Sequence, residues 1–97
     1  HALRDEDKWV RFFAVDALGK IGNRNSVEYL TRTLMDEDQD IRWVTASALG
    51  KIGGARAAHA LQQAYNSDNA FVRIFIADAL DKITAKEITA PRIAVSR

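Results

Sequence analysis

The 97-residue chain contains no cysteine, one methionine and one proline, and it has no long run of apolar residues. Without cysteine it has neither a disulfide framework nor a thiolate zinc site, which fits a reducing compartment, and we expect a cytoplasmic protein. No apolar stretch approaches the roughly 18 residues that a membrane span needs, so we expect no membrane partner. The chain opens with His1 and its only methionine is Met35, so we expect a fragment or a processed product.

The chain also lacks an excess of charge of one sign. Fourteen Lys and Arg stand against thirteen Asp and Glu, which gives a formal net charge of +1. This balance exerts no general attraction on DNA, RNA or an anionic membrane, so a charged partner would have to be recognised by a local patch. With 47% hydrophobic and 28% charged residues, the composition is that of a soluble, folded chain with a single domain over residues 1–97.

Three segments of the chain align without a gap at a period of 31 residues. They read LRDEDKWVRFFAVDALGKIG from residue 3, LMDEDQDIRWVTASALGKIG from residue 34 and YNSDNAFVRIFIADALDKIT from residue 65. Self-similarity at a fixed period is typical of repeat architectures. We predict that each unit holds a short helix A, a turn and a longer helix B, with units at about 1–22, 23–53 and 54–84. Residues 85–97 are then a degenerate capping helix or the stub of a further repeat.

Helix B has recognisable start and stop signals. The candidate N-caps are Asp7, Asp38 and Asn69, and the candidate C-terminal caps with positive φ are Gly22 and Gly53, whereas Thr84 replaces the third glycine. Gly19 and Gly50 lie inside helix B, where glycine is tolerable if the next helix packs closely there. Asp81 breaks this rule in the third unit.

Apolar residues recur on one stripe of each helix B, which we expect to pack on helix A. The stripe consists of Val10, Ala14, Ala17, Leu18 and Ile21, then Ile41, Thr45, Ala48, Leu49 and Ile52, then Val72, Ile76, Ala79, Leu80 and Ile83. The matching residues of helix A are Val27, Leu30 and Leu34, then Ala58, Leu61 and Tyr65.

The repeated pattern DEDxxVRxxAxxALGxIG resembles the HEAT-like repeats first associated with phycobilin lyase subunits, and it covers nearly the whole chain. The resemblance implies an all-α fold, an α-solenoid of about three stacked helical hairpins wound into a right-handed superhelix. It places helices A on the convex side and helices B on the concave side. Pro91 lies at a position where such repeats often carry proline, but Arg92 occupies the position of core residues Leu30 and Leu61. The family includes lyase subunits and scaffolds, so the resemblance implies no single function.

Catalytic and metal-binding signals are weak. His59 is isolated at an outer position of helix A, and the His-Glu pairs on which the HEAT-like di-iron hydroxylases depend do not occur, so we expect no metal and no cofactor. The acidic residues before helix B are interpreted as N-caps that also favour the helix dipole. We expect Arg11, Arg42 and Arg73 to pair with these turn acids. No nucleophile is accompanied by a base, and we predict a protein that is not an enzyme.

A second face of helix B carries the candidate binding residues, among them six of the eight aromatic residues. The predicted partner-binding positions are Trp9, Phe12, Phe13, Asp16 and Lys20, then Asp40, Trp43, Val44, Ser47 and Lys51, then Phe71, Ile74, Phe75, Asp78 and Lys82. In one interpretation Phe13, Val44 and Phe75 turn inward between units and Trp9 lies flat on its neighbour. In the other, the aromatic residues form an exposed patch with a polar rim, which is typical of an interface.

We therefore predict a non-catalytic interaction module whose concave aromatic groove binds a protein or peptide, including a second copy of itself as a homo-oligomer. The alternative is an accessory subunit or lyase-like protein that handles a bilin-type or other apolar acidic small molecule. Nucleic acid is not an expected partner, because the three groove lysines are offset by Asp16, Asp40 and Asp78.

Overall fold

The computed structural model describes the backbone of residues 2–89 and the side chains of residues 7–87. The helices in this range are α1 (Ala2–Ile21), α2 (Val27–Thr33), α3 (Gln39–Ile52), α4 (Ala55–Tyr65) and α5 (Ala70–Thr89), with a 3-10 turn at Arg24–Ser26 before α2. The described residues contain no strand, and the all-α prediction is confirmed. The predictions for Pro91 and Arg92 lie outside the described residues.

The helices form the two layers of an α-solenoid. The helices B, which are α1, α3 and α5, lie side by side, and the helices A, α2 and α4, pack across them. The interior between the layers is filled by fully buried side chains such as Leu30, Leu49, Leu61 and Ile76. Thr45 is the buried polar residue of this core. Its hydroxyl donates to the carbonyl oxygen of Ile41 at 2.6 Å, and the hydroxyl oxygens of Thr45 and Thr33 lie 2.9 Å apart.

The helices of the B layer approach one another closely at the two internal glycines. A Cβ on Gly19 would lie 2.7 Å from the Cα and Cβ of Ala48, and one on Gly50 would lie 2.7 Å from the Cβ of Ala79. The expectation of close packing at these glycines is therefore confirmed. Asp81 occupies the equivalent position of α5 and is exposed, so no described helix packs closely on it.

The predicted caps form in the second and third units. Asp38 accepts the backbone N–H of Asp40 at 2.8 Å, and Asn69 accepts that of Val72 at 2.9 Å. Gly22 and Gly53 follow the last residues of α1 and α3 and have φ angles of 75° and 78°, a backbone conformation that residues with a Cβ rarely adopt. Because Thr84 lacks this freedom, α5 continues past it to Thr89.

The N-cap predicted at Asp7 is wrong, because α1 is continuous from Ala2 and Asp7 lies inside it. The equivalent turn of the second unit is held by Arg42, whose Nη1 donates to the carbonyl oxygens of Asp36 and Glu37 at 2.9 and 3.1 Å. In the first unit α1 runs without interruption through the aligned positions, and residues 2–18 contain neither glycine nor proline.

The predicted core stripe is correct in the second unit and wrong in most of the first. Val10 and Ile21 are 69% and 71% exposed, and Ala14 and Ala17 are exposed as well. No helix A packs on this face of α1 in the part of the chain that the structure describes, so the stripe has nothing to bury it. Leu18 and Leu80 are half-buried for the related reason that each belongs to a terminal helix of the described array.

Helix A uses smaller residues than expected in the third unit. Tyr65 was predicted to lie in the core but is exposed, and Ala58 is half-buried. Ala57, Ala60 and Ala64 are buried instead, beside the predicted Leu61. The buried face of α4 is therefore lined mainly by alanine, and Tyr65 is the last residue of the helix.

Candidate partner-binding surface

Six aromatic side chains on the B layer form a continuous series of ring contacts, which we call the aromatic strip. It consists of Trp9, Phe12 and Phe13 on α1, Trp43 on α3, and Phe71 and Phe75 on α5. Phe12 meets Trp43 edge to face, with 5.3 Å between ring centroids, and Trp43 stacks on Phe75 at 4.7 Å. The strip therefore crosses all three helices B. Aromatic pairs in such geometries add about 0.5–1.5 kcal/mol each beyond the burial of their area.

The ends of the strip are more exposed than its centre. Trp9 and Phe71 are 45% and 44% exposed, while Phe12, Trp43 and Phe75 are half-buried against the core. Phe13 is the most exposed residue of the strip, at 63%, and Ile74, next to Phe75 on α5, is 64% exposed. The open ends and the packed centre give a surface with a rigid middle and accessible apolar side chains around it.

The number of neighbouring helices B accounts for this distribution. Trp43 on the central helix α3 contacts Phe12 of the preceding helix and Phe75 of the following one. Phe13 on α1 and Ile74 on α5 lie on the outer helices of the described B layer, each of which has another helix B on one side only. The more exposed side chains are therefore found on the two outer helices.

A polar network anchors the strip between α1 and α3. The Lys8 ammonium lies 2.8 Å from Oδ2 of Asp40, 3.3 Å from Asp38 and 5.0 Å from the centre of the Trp9 ring. Asp40 also accepts the indole N–H of Trp43 at 3.0 Å. The hydrogen bond to Lys8, with a smaller contribution from that to Trp43, lowers the pKa of Asp40 below its usual 3.8. The same pair raises the pKa of Lys8 above 10.5, chiefly through the hydrogen bond to Asp40.

The predicted rim lysines are all present at the surface, and each has an acidic partner. Lys20 and Lys51 lie 3.1 and 3.8 Å from the two oxygens of Asp16, and Lys82 lies 3.1 Å from Asp78. Ser47 lies half-buried on the same face of α3 as Lys51. The rim therefore presents alternating charges of both signs rather than a basic row.

Both sequence interpretations of the aromatic face are correct in part. Val44, one of the predicted binding positions, is 2% exposed and belongs to the core rather than to the exposed surface. Phe75 turns partly inward, as the first interpretation expects, whereas Phe13 does not. Lys8 and Asp38 join the polar network but were not among the predicted binding residues. A lysine beside Trp9 and a second acid two residues before Asp40 were the available signals.

The repeated arginines and His59 were the other candidates for function, and most of the arginines make contacts within the chain. Arg42 forms two hydrogen bonds with Asp68, at 2.9 and 3.1 Å, and Arg11 lies 3.7 Å from Asp36, so these predicted pairings are confirmed. Arg73 was expected to pair likewise, but its guanidinium lies over the Tyr65 ring at 5.5 Å. His59 is exposed, as expected. Among the described residues, no group of three or more His, Cys, Asp or Glu is placed to hold a metal ion, and no helix is long and apolar enough to cross a membrane.

The fold and its strip of repeated side chains define an α-helical solenoid, a class in which stacked repeats present extended binding surfaces. Residues 1–87 match the family model described as HEAT repeats, and the chain belongs to this family. No curated protein matches the chain. The match is to HEAT repeats in general, so the closer resemblance to the phycobilin lyase type stays a prediction. HEAT repeats are commonly scaffolds for protein interactions and are generally non-catalytic.

Proposed function

We propose that the chain is a non-catalytic interaction module that binds a protein or peptide through the aromatic strip. The observation that carries the proposal is the unbroken ring series from Phe12 through Trp43 to Phe75, flanked by the open side chains of Phe13 and Ile74. Large exposed apolar patches rimmed by polar residues mark interaction sites on soluble proteins. The packed centre supplies a preorganised surface, which lowers the ordering cost of binding.

The ion pairs of the rim favour a protein or peptide over an acid-bearing small molecule. A bilin-type ligand would use free cations for its carboxylates, but Lys20, Lys51 and Lys82 already have Asp16 or Asp78 as partners. The same neutralisation disfavours nucleic acid, which requires several unpaired cations along its phosphates. An apolar segment with few charges is the occupant that this surface suits best.

Selection from a random peptide display library against the purified chain tests this proposal. We expect enriched peptides with aromatic and aliphatic residues, and we expect Ile74→Asp to abolish their binding in calorimetry. Ile74 is exposed, so this substitution should leave the helical circular dichroism spectrum unchanged. Trp43→Asp is a poorer choice, because Trp43 packs against the core and its loss would also destabilise the fold.

The matched control is Tyr29→Asp, an exposed position on the opposite layer that should leave peptide binding unchanged. Light scattering on the wild type and on Ile74→Asp reports whether the bound partner is a second copy. Enriched peptides that bind wild type and Ile74→Asp equally, or that lose affinity for Tyr29→Asp instead, would show that the strip is not the contact surface.

A further inference from the structure

The A layer contains three arginines whose side chains, unlike those of the other described cations, have no partner in the structure. Within residues 7–87, the side chains of Lys8, Arg11, Lys20, Arg42, Lys51 and Lys82 each contact an acidic residue. Lys86 donates to the carbonyl oxygen of Lys51, and Arg73 lies over Tyr65. In the same range Arg24, Arg32 and Arg56 form no ion pair and no hydrogen bond through their side chains, and all three are exposed.

These three arginines line two adjacent depressions between α2 and α4, which share Ala55 and Arg56 and which together we call the A-layer cleft. Its larger part, of about 540 Å³, is lined by Arg32, Arg56, His59, Ala55, Ala60 and Gln63 among others. A smaller part, of about 180 Å³, shares Ala55 and Arg56 with it and adds Arg24. The guanidinium carbon of Arg24 lies 3.8 Å from the point where a Cβ on Gly54 would be, so this arginine reaches across to the start of α4.

The charge of the cleft is positive, although that of the whole chain is nearly balanced. Glu28 is the acidic residue among the side chains that line the two parts, against three arginines. A guanidinium binds a carboxylate through two parallel hydrogen bonds, and it does so with less desolvation than an ammonium group. Arginines that form no ion pair with a described acidic residue are therefore available to carboxylates from another molecule.

The shape of the cleft restricts the occupant. The α4 residues that line the cleft run from Ala55 to Gln63 and include the methyl groups of Ala55 and Ala60. This stretch is roughly 12 Å long at about 1.5 Å per residue. A single extended chain of about four residues spans that length at about 3.3 Å per residue. Three arginines are too few to hold a nucleic acid at physiological salt, where binding depends on neutralising many phosphates.

We propose that the A-layer cleft binds an Asp- and Glu-rich segment of a partner protein. This site lies on the layer opposite the aromatic strip and does not depend on what the strip binds. The carboxylates of the segment pair with Arg32 and Arg56, and Arg24 extends the contact along the start of α4. A scaffold with a neutral apolar surface on one layer and a cationic cleft on the other can hold two different partners at once.

A labelled peptide of about eight alternating Glu and Ala residues, compared with its Gln and Ala counterpart, tests the proposal by fluorescence anisotropy. We expect the wild-type chain to bind the Glu peptide in preference to the Gln peptide, with an affinity that falls as salt is raised. The double variant Arg32→Glu/Arg56→Glu should weaken binding by at least about tenfold. The matched control for the neutral variant Arg32→Gln/Arg56→Gln is Ala14→Glu/Ala17→Glu, which changes the net charge by the same amount at exposed positions of α1 outside both surfaces and should stay within about twofold of wild type.

The two arginines are exposed and unpaired, so circular dichroism should show the same helix content in the double variant. The neutral variant Arg32→Gln/Arg56→Gln provides a second reading and should weaken binding in the same direction. Equal weakening by the control variant would mean that net charge alone attracts the peptide, and would overturn the proposal. Absence of preference for the Glu peptide would overturn it as well, as would stronger competition by a short single-stranded oligonucleotide than by unlabelled Glu peptide.

Discussion

At the scale of single residues, Asp40 connects two helices through one carboxylate. One oxygen contacts the Lys8 ammonium of α1, and the other accepts the indole N–H of Trp43 on its own helix. Trp43 in turn packs between Phe12 and Phe75. The orientation of the Trp43 ring, at the centre of the aromatic strip, is therefore linked to the ionisation of the Asp40 carboxyl group.

This link predicts a pH dependence for the Trp43 indole. Because Lys8 lowers the pKa of Asp40 in the folded chain, the stabilisation from this carboxylate is fully present above about pH 3.8 and is lost as the pH falls through the lower folded value. Lys8 remains charged throughout this range, since its own pKa is raised above 10.5. In NMR spectra, the indole N–H resonance of Trp43 should titrate with a midpoint below 3.8.

The second tryptophan provides an internal control. Trp9 makes no hydrogen bond to a carboxylate in the described structure, so its indole resonance should move much less over the same range. Asp40→Asn should remove the titration of Trp43 while leaving the helical spectrum in place. A midpoint above 3.8, or a Trp43 titration that persists in Asp40→Asn, would contradict the assignment of the shift to this carboxylate.

At the scale of elements, α3 is the helix around which the others pack, and Gly50 sets its distance from α5. Replacing a helical glycine by alanine normally stabilises a helix by about 1 kcal/mol. Here the added Cβ would lie 2.7 Å from the Cβ and 2.8 Å from the Cα of Ala79, and the latter belongs to the backbone. The helices would have to separate, and we expect Gly50→Ala to destabilise the chain by about 1–3 kcal/mol in chemical unfolding.

Restoring the space on the other helix should reverse part of this loss. Adding Ala79→Gly to Gly50→Ala removes the clashing methyl group and leaves only the contact with the Cα of residue 79, so the double variant should be more stable than the sum of the two single effects predicts. A stabilising effect of Gly50→Ala would instead show that α3 and α5 approach less closely than 2.7 Å implies.

The elements also show what the sequence could and could not predict. The caps at Asp38 and Asn69 and the close approach at Gly50 follow from local residues and one repeated neighbour, and these predictions are confirmed. The exposure of Val10 and Ile21 could not be read from the period, because it depends on which neighbour is present rather than on the residue. Val44 and Phe75 were included among the binding positions by helical spacing, yet Val44 is buried and Phe75 half-buried, while the equivalent Phe13 on the outer helix α1 is exposed.

At the scale of the whole molecule, each unit is stabilised by its own packing and by contact with its neighbours. The second unit has neighbours on both sides, and Leu49 on α3 is fully buried. Leu18 and Leu80 hold the same position in α1 and α5 but are half-buried, since each lacks part of the surroundings that enclose Leu49. The burial of equivalent leucines thus reports where a unit stands in the array.

This gradient predicts the order of stability losses. Leu49→Ala removes a fully enclosed side chain and should cost about 2–5 kcal/mol, the range for buried leucines, whereas Leu18→Ala and Leu80→Ala should each cost less. Lys51→Ala, two residues from Leu49 on the exposed side of the same helix, should change the free energy of unfolding by no more than about 0.5 kcal/mol. Thermal and chemical unfolding of the four variants measures the order. If Leu18→Ala were as damaging as Leu49→Ala, the open face of α1 would have to be covered in solution, and the light-scattering mass of the wild type would show whether a second copy covers it.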